Sequence, residues 1–261
     1  MKPESEPKSL GQVPANSETA VGRPTGLSAF VRCKNEAEYI VASLMSAYRI
    51  FDEILVVLNN STDGTRALVE DLMRDHPKIR LEFYDRDCSA AGVGYYERVR
   101  TEPESSLAKY YNWCLERTTF SHVCKWDGDM IGLPTFEQVA SNLQKYDIVM
   151  FDGYDVLGEY TTDLEARIFR YDLAHARYVD WDLYEILQHD YVNVRRIDEK
   201  CYLHLKLVKQ DWVHRQWVCP NVFAARSVPD QGGLPSQGQM RAGGVLRRLL
   251  GRLRRGVSRL G

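Results

Sequence analysis

The sequence has no C-x-x-C pair. Its six cysteines stand at 33, 88, 114, 124, 201 and 219, spacings that fit no zinc ribbon. No apolar run nears the roughly 18 residues that span a bilayer, which excludes a transmembrane helix. The first twenty residues, MKPESEPKSLGQVPANSETA, lack the apolar core of a secretory signal. Without such a signal, the cysteines are expected as reduced, mostly buried thiols and the protein as cytoplasmic. Residues 1–25 hold four of the ten prolines and almost no large apolar side chains. Such a stretch cannot bury enough surface to offset its chain entropy, so it is expected to be a disordered leader. What remains is ordinary in balance, 44% hydrophobic and 27% charged, and residues 26–225 are long enough for one domain with its own core.

Charge of one sign is missing from the C-terminus. Residues 241–261 hold seven arginines and no acid, which leaves 27 basic against 36 acidic residues elsewhere, a balance of −9. An acidic body with a basic tail does not look like a nucleic-acid-binding domain, and the tail points to an anionic partner. At about 100° per residue, Val245, Leu246, Leu249, Leu250, Leu253, Val257 and Leu260 share an arc of about 140°. Six arginines occupy the opposite side, so 245–261 reads as a basic amphipathic tail, the kind that lies on an anionic membrane surface. Gly251 and Gly256 weaken that helix. Residues 226–244, rich in glycine, proline and glutamine, read as a linker.

Between the ends, apolar runs alternate with helical periodicity. Residues 27–33 form a short buried strand, and helical spacing follows over 36–50. Residues 54–58 (ILVVL) are the continuous apolar type found in parallel sheets. Asp63 is placed to cap a helix running to about Asp75. A third strand spans 79–84. A helix opened by Ser105 or Ser106 runs to about Arg117. A fourth strand spans 122–126 and a fifth 147–151. Pro134 is suited to the first turn of a helix reaching about Tyr146. This order predicts one α/β domain with a mainly parallel sheet flanked by helices. Residues 153–220 are less periodic and read as an irregular half that shapes a second substrate site.

In such sheets, ligands sit beyond the carboxyl ends of the strands. Three polar clusters fall there, at 32–36, 59–65 and 127–129. Asp127-Gly128-Asp129 offers two carboxylates one residue apart, a pattern that can hold Mg2+ or Mn2+ and leave positions open for phosphate oxygens. D-x-D alone is often a solvated turn, and it is the strand before it and the neighbouring clusters that point to a site. Trp126, Trp181, Trp212 and Trp217 have flat faces suited to sugar rings, and equally to core packing.

These clusters resemble the family-2 glycosyltransferases, which have the GT-A fold. The resemblance rests on four elements in order: Val31-Arg32-Cys33-Lys34-Asn35-Glu36 after the first strand, Leu58-Asn59-Asn60-Ser61-Thr62-Asp63-Gly64-Thr65 after the second, Asn112 on a helix, and Asp127-Gly128-Asp129 fifteen residues on. It covers about 27–152. It implies that Arg32, Asn35, Glu36, Asn59, Asn60, Asp63, Lys109, Asn112 and Asp127 hold a nucleoside-diphosphate sugar, with Lys34 adding positive charge. It implies Mn2+ or Mg2+ at Asp127 and Asp129, with His204 as the C-terminal ligand that many GT-A enzymes add. His204 alternates with leucines, so it is equally a half-buried strand residue. Two departures stand out: Asn59 where the family often has a base-reading Asp, and Tyr111 in place of the Arg of A-R-N.

Residues 166–187 resemble a subgroup with an R-x-F-R segment and a following H-E pair, here Tyr184-Glu185. Its members mostly build lipopolysaccharide core, capsule or related glycans. Glu185 is accordingly the leading general base, with Asp182 and then Asp180 as rivals. The expectation is an inverting, metal-dependent transferase acting on a glycan or lipid-linked acceptor at the cytoplasmic membrane face. Two other readings stand beside it. A nucleotidyltransferase also uses an α/β sheet and acidic metal ligands, but Arg32-Cys33-Lys34-Asn35-Glu36 lacks the usual glycine-rich loop. A non-catalytic glycan- or membrane-binding member is the third.

Overall fold

Odd and even residues of the first strand face different cores. In the computed structural model, which describes residues 22–155 and 164–206, β1 (Leu27–Cys33) is buried along its length. Leu27, Ala29, Val31 and Cys33 join one apolar cluster while Phe30 joins another, as the two-residue period of a strand requires. After β1 come α1 (Ile40–Ala47), β2 (Glu53–Leu58), α2 (Thr65–Asp75), β3 (Ile79–Phe83), α3 (Tyr95–Thr101) and α4 (Leu107–Glu116). The chain continues with β4 (His122–Asp127), β5 (Met130–Gly132), β6 (Ile148–Phe151), β7 (Gly153–Asp155) and β8 (Glu165–Arg170). The last strands are β9 (Ala176–Asp180), β10 (Glu185–His189), β11 (Val194–Arg196) and β12 (Tyr202–His204).

Seven strands form one sheet in the order β11-β6-β8-β4-β1-β2-β3. β1 pairs parallel with β2 and β4, β2 with β3, and β6 with β11. β8 runs antiparallel between β4 and β6. The sheet is therefore mixed and mostly parallel. β2 is buried at every residue, which is why ILVVL shows no alternation: Ile54, Val56 and Leu58 pack with α1, and Leu55 and Val57 pack with α4. Two small sheets, β10-β9 and β5-β12-β7, complete the second half, where periodicity predicted little.

Three elements differ from their sequence expectations. The helix expected from residue 36 starts at Ile40, because Asn35 is left-handed (φ 59°) and the Glu36 N–H donates to Thr65 Oγ1 at 2.8 Å. The helix expected over 134–146 is two 3₁₀ turns, Pro134–Ala140 and Leu143–Lys145. Extended Ser141 and left-handed Asn142 (φ 56°) separate them. Gly64, and not Asp63, occupies the cap position of α2. Asp63 instead accepts from Thr65 N at 3.0 Å and Ala37 N at 3.0 Å. At α4 the expectation is met by Ser106, whose Oγ accepts from Lys109 N at 3.0 Å, the usual N-cap bond.

Of the leader expected over 1–25, residues 22–25 are described, and Arg23 Nη1 donates to Thr118 Oγ1 at 2.8 Å, so that end is tied to the domain. Residues 1–21, the linker 226–244, the basic tail 245–261, Cys219, Trp212 and Trp217 lie outside the described residues.

Candidate active site

β1 and β4 lie side by side with Arg32 and Asp127 in register, so the ends of both strands deliver polar side chains to one place. Arg32 Nη2 donates to Asp127 Oδ1 at 2.8 Å. The Arg32 guanidinium lies 3.9 Å from the centre of the Tyr111 ring. The Tyr111 side chain hydrogen-bonds Glu185. Glu185 Oε1 stands 3.6 Å from Lys125 Nζ, which is 3.7 Å from Glu165 Oε2. Glu165 pairs with Arg167 at 3.1 Å, and Arg167 Nη1 returns to Asp127 Oδ2 at 3.5 Å. Six charged groups, three of each sign, and one phenol thus form a closed ring. It joins the expected metal carboxylate to the expected base.

The ring is largely out of water, so its electrostatics are strong. Burial alone would raise the Asp127 carboxyl, but Arg32, Lys125 and Arg167 outweigh it and hold it well below the usual carboxylate range. Burial would likewise weaken the Arg167 cation, yet Glu165, Tyr202 and Asp127 more than offset this. The phenol of Tyr111 is pushed far up, by burial first. A neutral phenol beside Glu185 is a hydrogen-bond donor.

Asp129 is buried next to this ring. His204 Nε2 lies 3.5 Å from Asp129 Oδ1, and its Nδ1 lies 3.0 Å from Asp155 Oδ1. Burial would lower the imidazole, but the bonds to Asp129 and Asp155 raise it to about 9. At neutral pH His204 therefore stands as a cation between two acids. β12 brings it there by pairing with both β5 and β7.

Gly128 lies in tight packing. A Cβ there would meet Glu36 Cγ at 3.0 Å and Cys33 Sγ at 3.2 Å. The same loops are stitched together elsewhere. Asn35 Oδ1 accepts from Thr62 N at 2.8 Å, and Ser61 Oγ accepts from Asn35 N at 3.1 Å. Asn59 donates to the carbonyls of Tyr84 (3.0 Å) and Arg86 (2.6 Å), tying the end of β2 to the end of β3. Asn60, left-handed at φ 49°, donates to Asp87 at 2.8 Å.

The structure thus brings together Arg32, Asp127, Asp129, Glu185 and His204. It gathers Asn35, Glu36, Asn59, Asn60 and Asp63 into the adjoining loops. Lys109 points elsewhere, to Glu104 at 2.6 Å, on the rim of a cleft of about 480 Å³ that Tyr84, Arg86, Asn112 and Trp113 also line. Asn112 clamps α4 to β9: it donates to the Tyr178 carbonyl and accepts from the Tyr178 N–H, both at 2.9 Å. Asp182 is exposed in the turn between β9 and β10. Asp180 accepts from Tyr95, from Ser106 at 2.7 Å and from Ala108 N at 3.2 Å. It is an anion at the start of α4, where the helix dipole favours one. Trp126 is core, bonded to Ser43 Oγ at 3.0 Å.

Lys125, Glu165 and Tyr111 were not singled out as site residues from the sequence. Lys125 had a signal: it precedes Asp127 by two on one strand and so shares its face. Tyr111 drew notice only as a departure from A-R-N. Nothing local marks Glu165.

Residues 28–87 match the family model described as Glycosyl transferase family 2. By that match this stretch, from β1 through β3 and its following loop, belongs to glycosyltransferase family 2. Among solved structures, TarS 1-349 of S. aureus is similar with TM-score 0.52 and 16% identity, over 70% of this chain and 61% of that one. The chain thus spans about 61% of that structure. At such identity the likeness is one of fold, and it is the GT-A fold. TarS 1-349 in complex with UDP gives TM-score 0.47 at 13% identity, over 78% of this chain and 76% of that one. The mannosyltransferase PcManGT from Pyrobaculum calidifontis, in complex with GDP-Man and Mn2+, gives 0.38 at 21%, over 53% and 39%. No curated protein matches the sequence.

Within this GT-A domain, the donors at the DGD turn are hard oxygens, the type Mg2+ and Mn2+ prefer. Among the described residues no group of three His, Cys, Asp or Glu is brought together to hold a metal. Such ions commonly use one or two carboxylates and complete their shell with water and substrate phosphate. Asp127 and Asp129 fit that pattern, not a closed protein cage.

Proposed function

We propose that the protein is an inverting glycosyltransferase that moves a sugar from a nucleoside diphosphate to a hydroxyl of a glycan or lipid-linked acceptor. The observation that carries this reading is the ring joining Asp127 to Glu185. It lies at the carboxyl ends of β1 and β4, with Arg32 inside the stretch that matches the family-2 model. Donor and acceptor chemistry need carboxylates in two roles within one site, and the ring supplies both.

In this reading the loops at 32–36 and 59–65 hold the nucleotide, and Arg32 faces the diphosphate. Asp127 and Asp129 would hold Mn2+ or Mg2+, with His204 beside Asp129. The cation, when bound, would neutralise charge on the departing diphosphate. Glu185 takes the proton of the acceptor hydroxyl as its oxygen bonds to the anomeric carbon. The bond from that carbon to the diphosphate oxygen breaks, and its electron pair leaves with the nucleoside diphosphate. Tyr111 and Lys125 fix where the Glu185 carboxylate points. The subgroup resemblance at Arg167-Ile168-Phe169-Arg170 and Tyr184-Glu185 favours a cell-surface glycan as product. The basic tail would keep the enzyme on the cytoplasmic membrane face.

The test is release of nucleoside diphosphate from UDP-, GDP- and dTDP-sugars with Mn2+ present. Slow hydrolysis of one donor by the wild type is expected, falling at least about 100-fold in Asp127→Ala. Pyrophosphate release from a nucleoside triphosphate and a sugar 1-phosphate, supplied in place of the NDP-sugar, would favour a nucleotidyltransferase. No nucleotide bound or cleaved would leave a binding module.

A further inference from the structure

The turn between β9 and β10, residues 181–184, runs directly into Glu185. Its rings are left in water: Trp181 is 61% exposed and Tyr184 44% exposed, with Tyr96 of α3 at 45%. Singly exposed rings are ordinary, but the backbone bonds of this turn place these three together, and grouped exposed rings mark a contact surface. The turn is braced from both sides. Trp181 N–H donates to the Tyr184 carbonyl at 2.8 Å, which closes the hairpin. Gly92 N–H donates to the Leu183 carbonyl at 2.6 Å, and Tyr96 N–H donates to the Asp182 carbonyl at 3.3 Å. Just before the turn, Asp180 is anchored to Tyr95 and to Ser106.

We propose that Trp181, Tyr184 and Tyr96, with the carboxylate of Asp182, form the acceptor subsite, a platform for pyranose rings of a glycan chain just outside Glu185. This rests on the glycosyltransferase reading. A pyranose carries C–H groups on its faces and hydroxyls around its edge. Flat aromatic faces cover the first, and a carboxylate and phenols bond the second. The exposed Asp182 set among the rings suits a sugar better than a lipid tail, which would leave that charge against hydrocarbon. Position argues the same way. The reacting hydroxyl must reach Glu185, so the next rings of its chain lie over the turn that precedes Glu185.

The experiment uses the full chain without donor, with chito-, cello-, malto- and mannopentaose as probes. Binding is followed by tryptophan fluorescence and by ligand-observed NMR. At least one pentasaccharide is expected to bind. Trp181→Ala should weaken it roughly tenfold, and Trp181→Phe, which keeps a flat ring, should retain most of it. Val192→Ala, an exposed site off the platform, serves as control. No pentasaccharide bound by the wild type, or equal binding by Trp181→Ala, overturns the proposal. So does a dimer in sedimentation that Trp181→Ala dissolves, since the face would then be a self-contact. UDP and GDP titrations of the wild type report separately on the donor. Nucleotide bound without any pentasaccharide removes the platform alone. A Trp181-dependent pentasaccharide without any nucleotide removes the transferase reading and leaves a glycan-binding surface.

Discussion

Glu185 and Asp127 both sit beside cations, but their surroundings differ in consequence. Asp127 is gripped on both oxygens, by Arg32 and Arg167. Glu185 meets Lys125 at 3.6 Å and the Tyr111 side chain. The looser grip is compatible with a group that has to accept a proton from substrate. Glu185→Gln keeps the shape and removes that capacity. Transfer to acceptor is expected to fall by about 10²–10⁴ in kcat, the usual worth of a general base. Steady-state kinetics with a saturating donor check it. A loss confined to donor KM would reassign Glu185 to binding.

The elements are locked by side chains buried far from the reacting ring. Glu53, at the start of β2, accepts from Ser28 of β1 at 2.6 Å. It also accepts from Thr119 N at 2.7 Å, Thr119 Oγ1 at 2.8 Å and Arg80 of β3. One carboxylate thus fastens β1, β2, β3 and the approach to β4. Burial alone would raise its pKa, and the bonds from Ser28, Thr119 and Arg80 outweigh that and lower it. A carboxyl lowered on folding adds stability above its unfolded pKa, near 4.5, and that contribution fades as pH falls through the lower folded value. Urea midpoints should therefore drop below about pH 4.5 in the wild type, and drop less in Glu53→Gln. At pH 7 the variant should cost about 2 kcal/mol, since it leaves bonded partners short of an acceptor. At α4, Ser106→Ala removes both the cap bond to Lys109 N and the bond to Asp180. A loss of roughly 1–2 kcal/mol is expected, read by the same denaturation.

At the scale of the molecule, charge separates body from tail. The body carries −9 and residues 241–261 carry +7. No helix among the described residues is long and apolar enough to cross a membrane. Sedimentation with phosphatidylglycerol vesicles at about 50 mM salt should recover the full chain. It should lose most of that recovery at about 500 mM, where screening shortens the reach of charge to a few ångströms. Deleting 241–261 should abolish it. Unchanged recovery after the deletion would sink the membrane role of the tail.

The sequence alone determined the alternation of strands and helices from 27 to 127, apart from α3, and the three polar clusters at strand ends. Those signals are local, because a buried strand and an amphipathic helix each repeat within a few residues. Asp127, Asp129 and Glu185 were legible as candidates for the same reason, each standing in a short motif. The rest was decided in three dimensions. That β8 would enter the sheet antiparallel, between β4 and β6, depends on pairing across more than forty residues. The arrival of Glu165 and Arg167 beside Asp127 follows from that pairing. Asn112, chosen from a motif, proved to be a clamp on Tyr178, and Lys109 turned to Glu104, because their directions depend on how α4 lies against β9. His204 reached Asp129 only through β12 joining β5 and β7. Spacing along a chain specifies which residues can share a face. Which faces meet, and which charges then neutralise one another, is set by packing between segments that no local pattern connects.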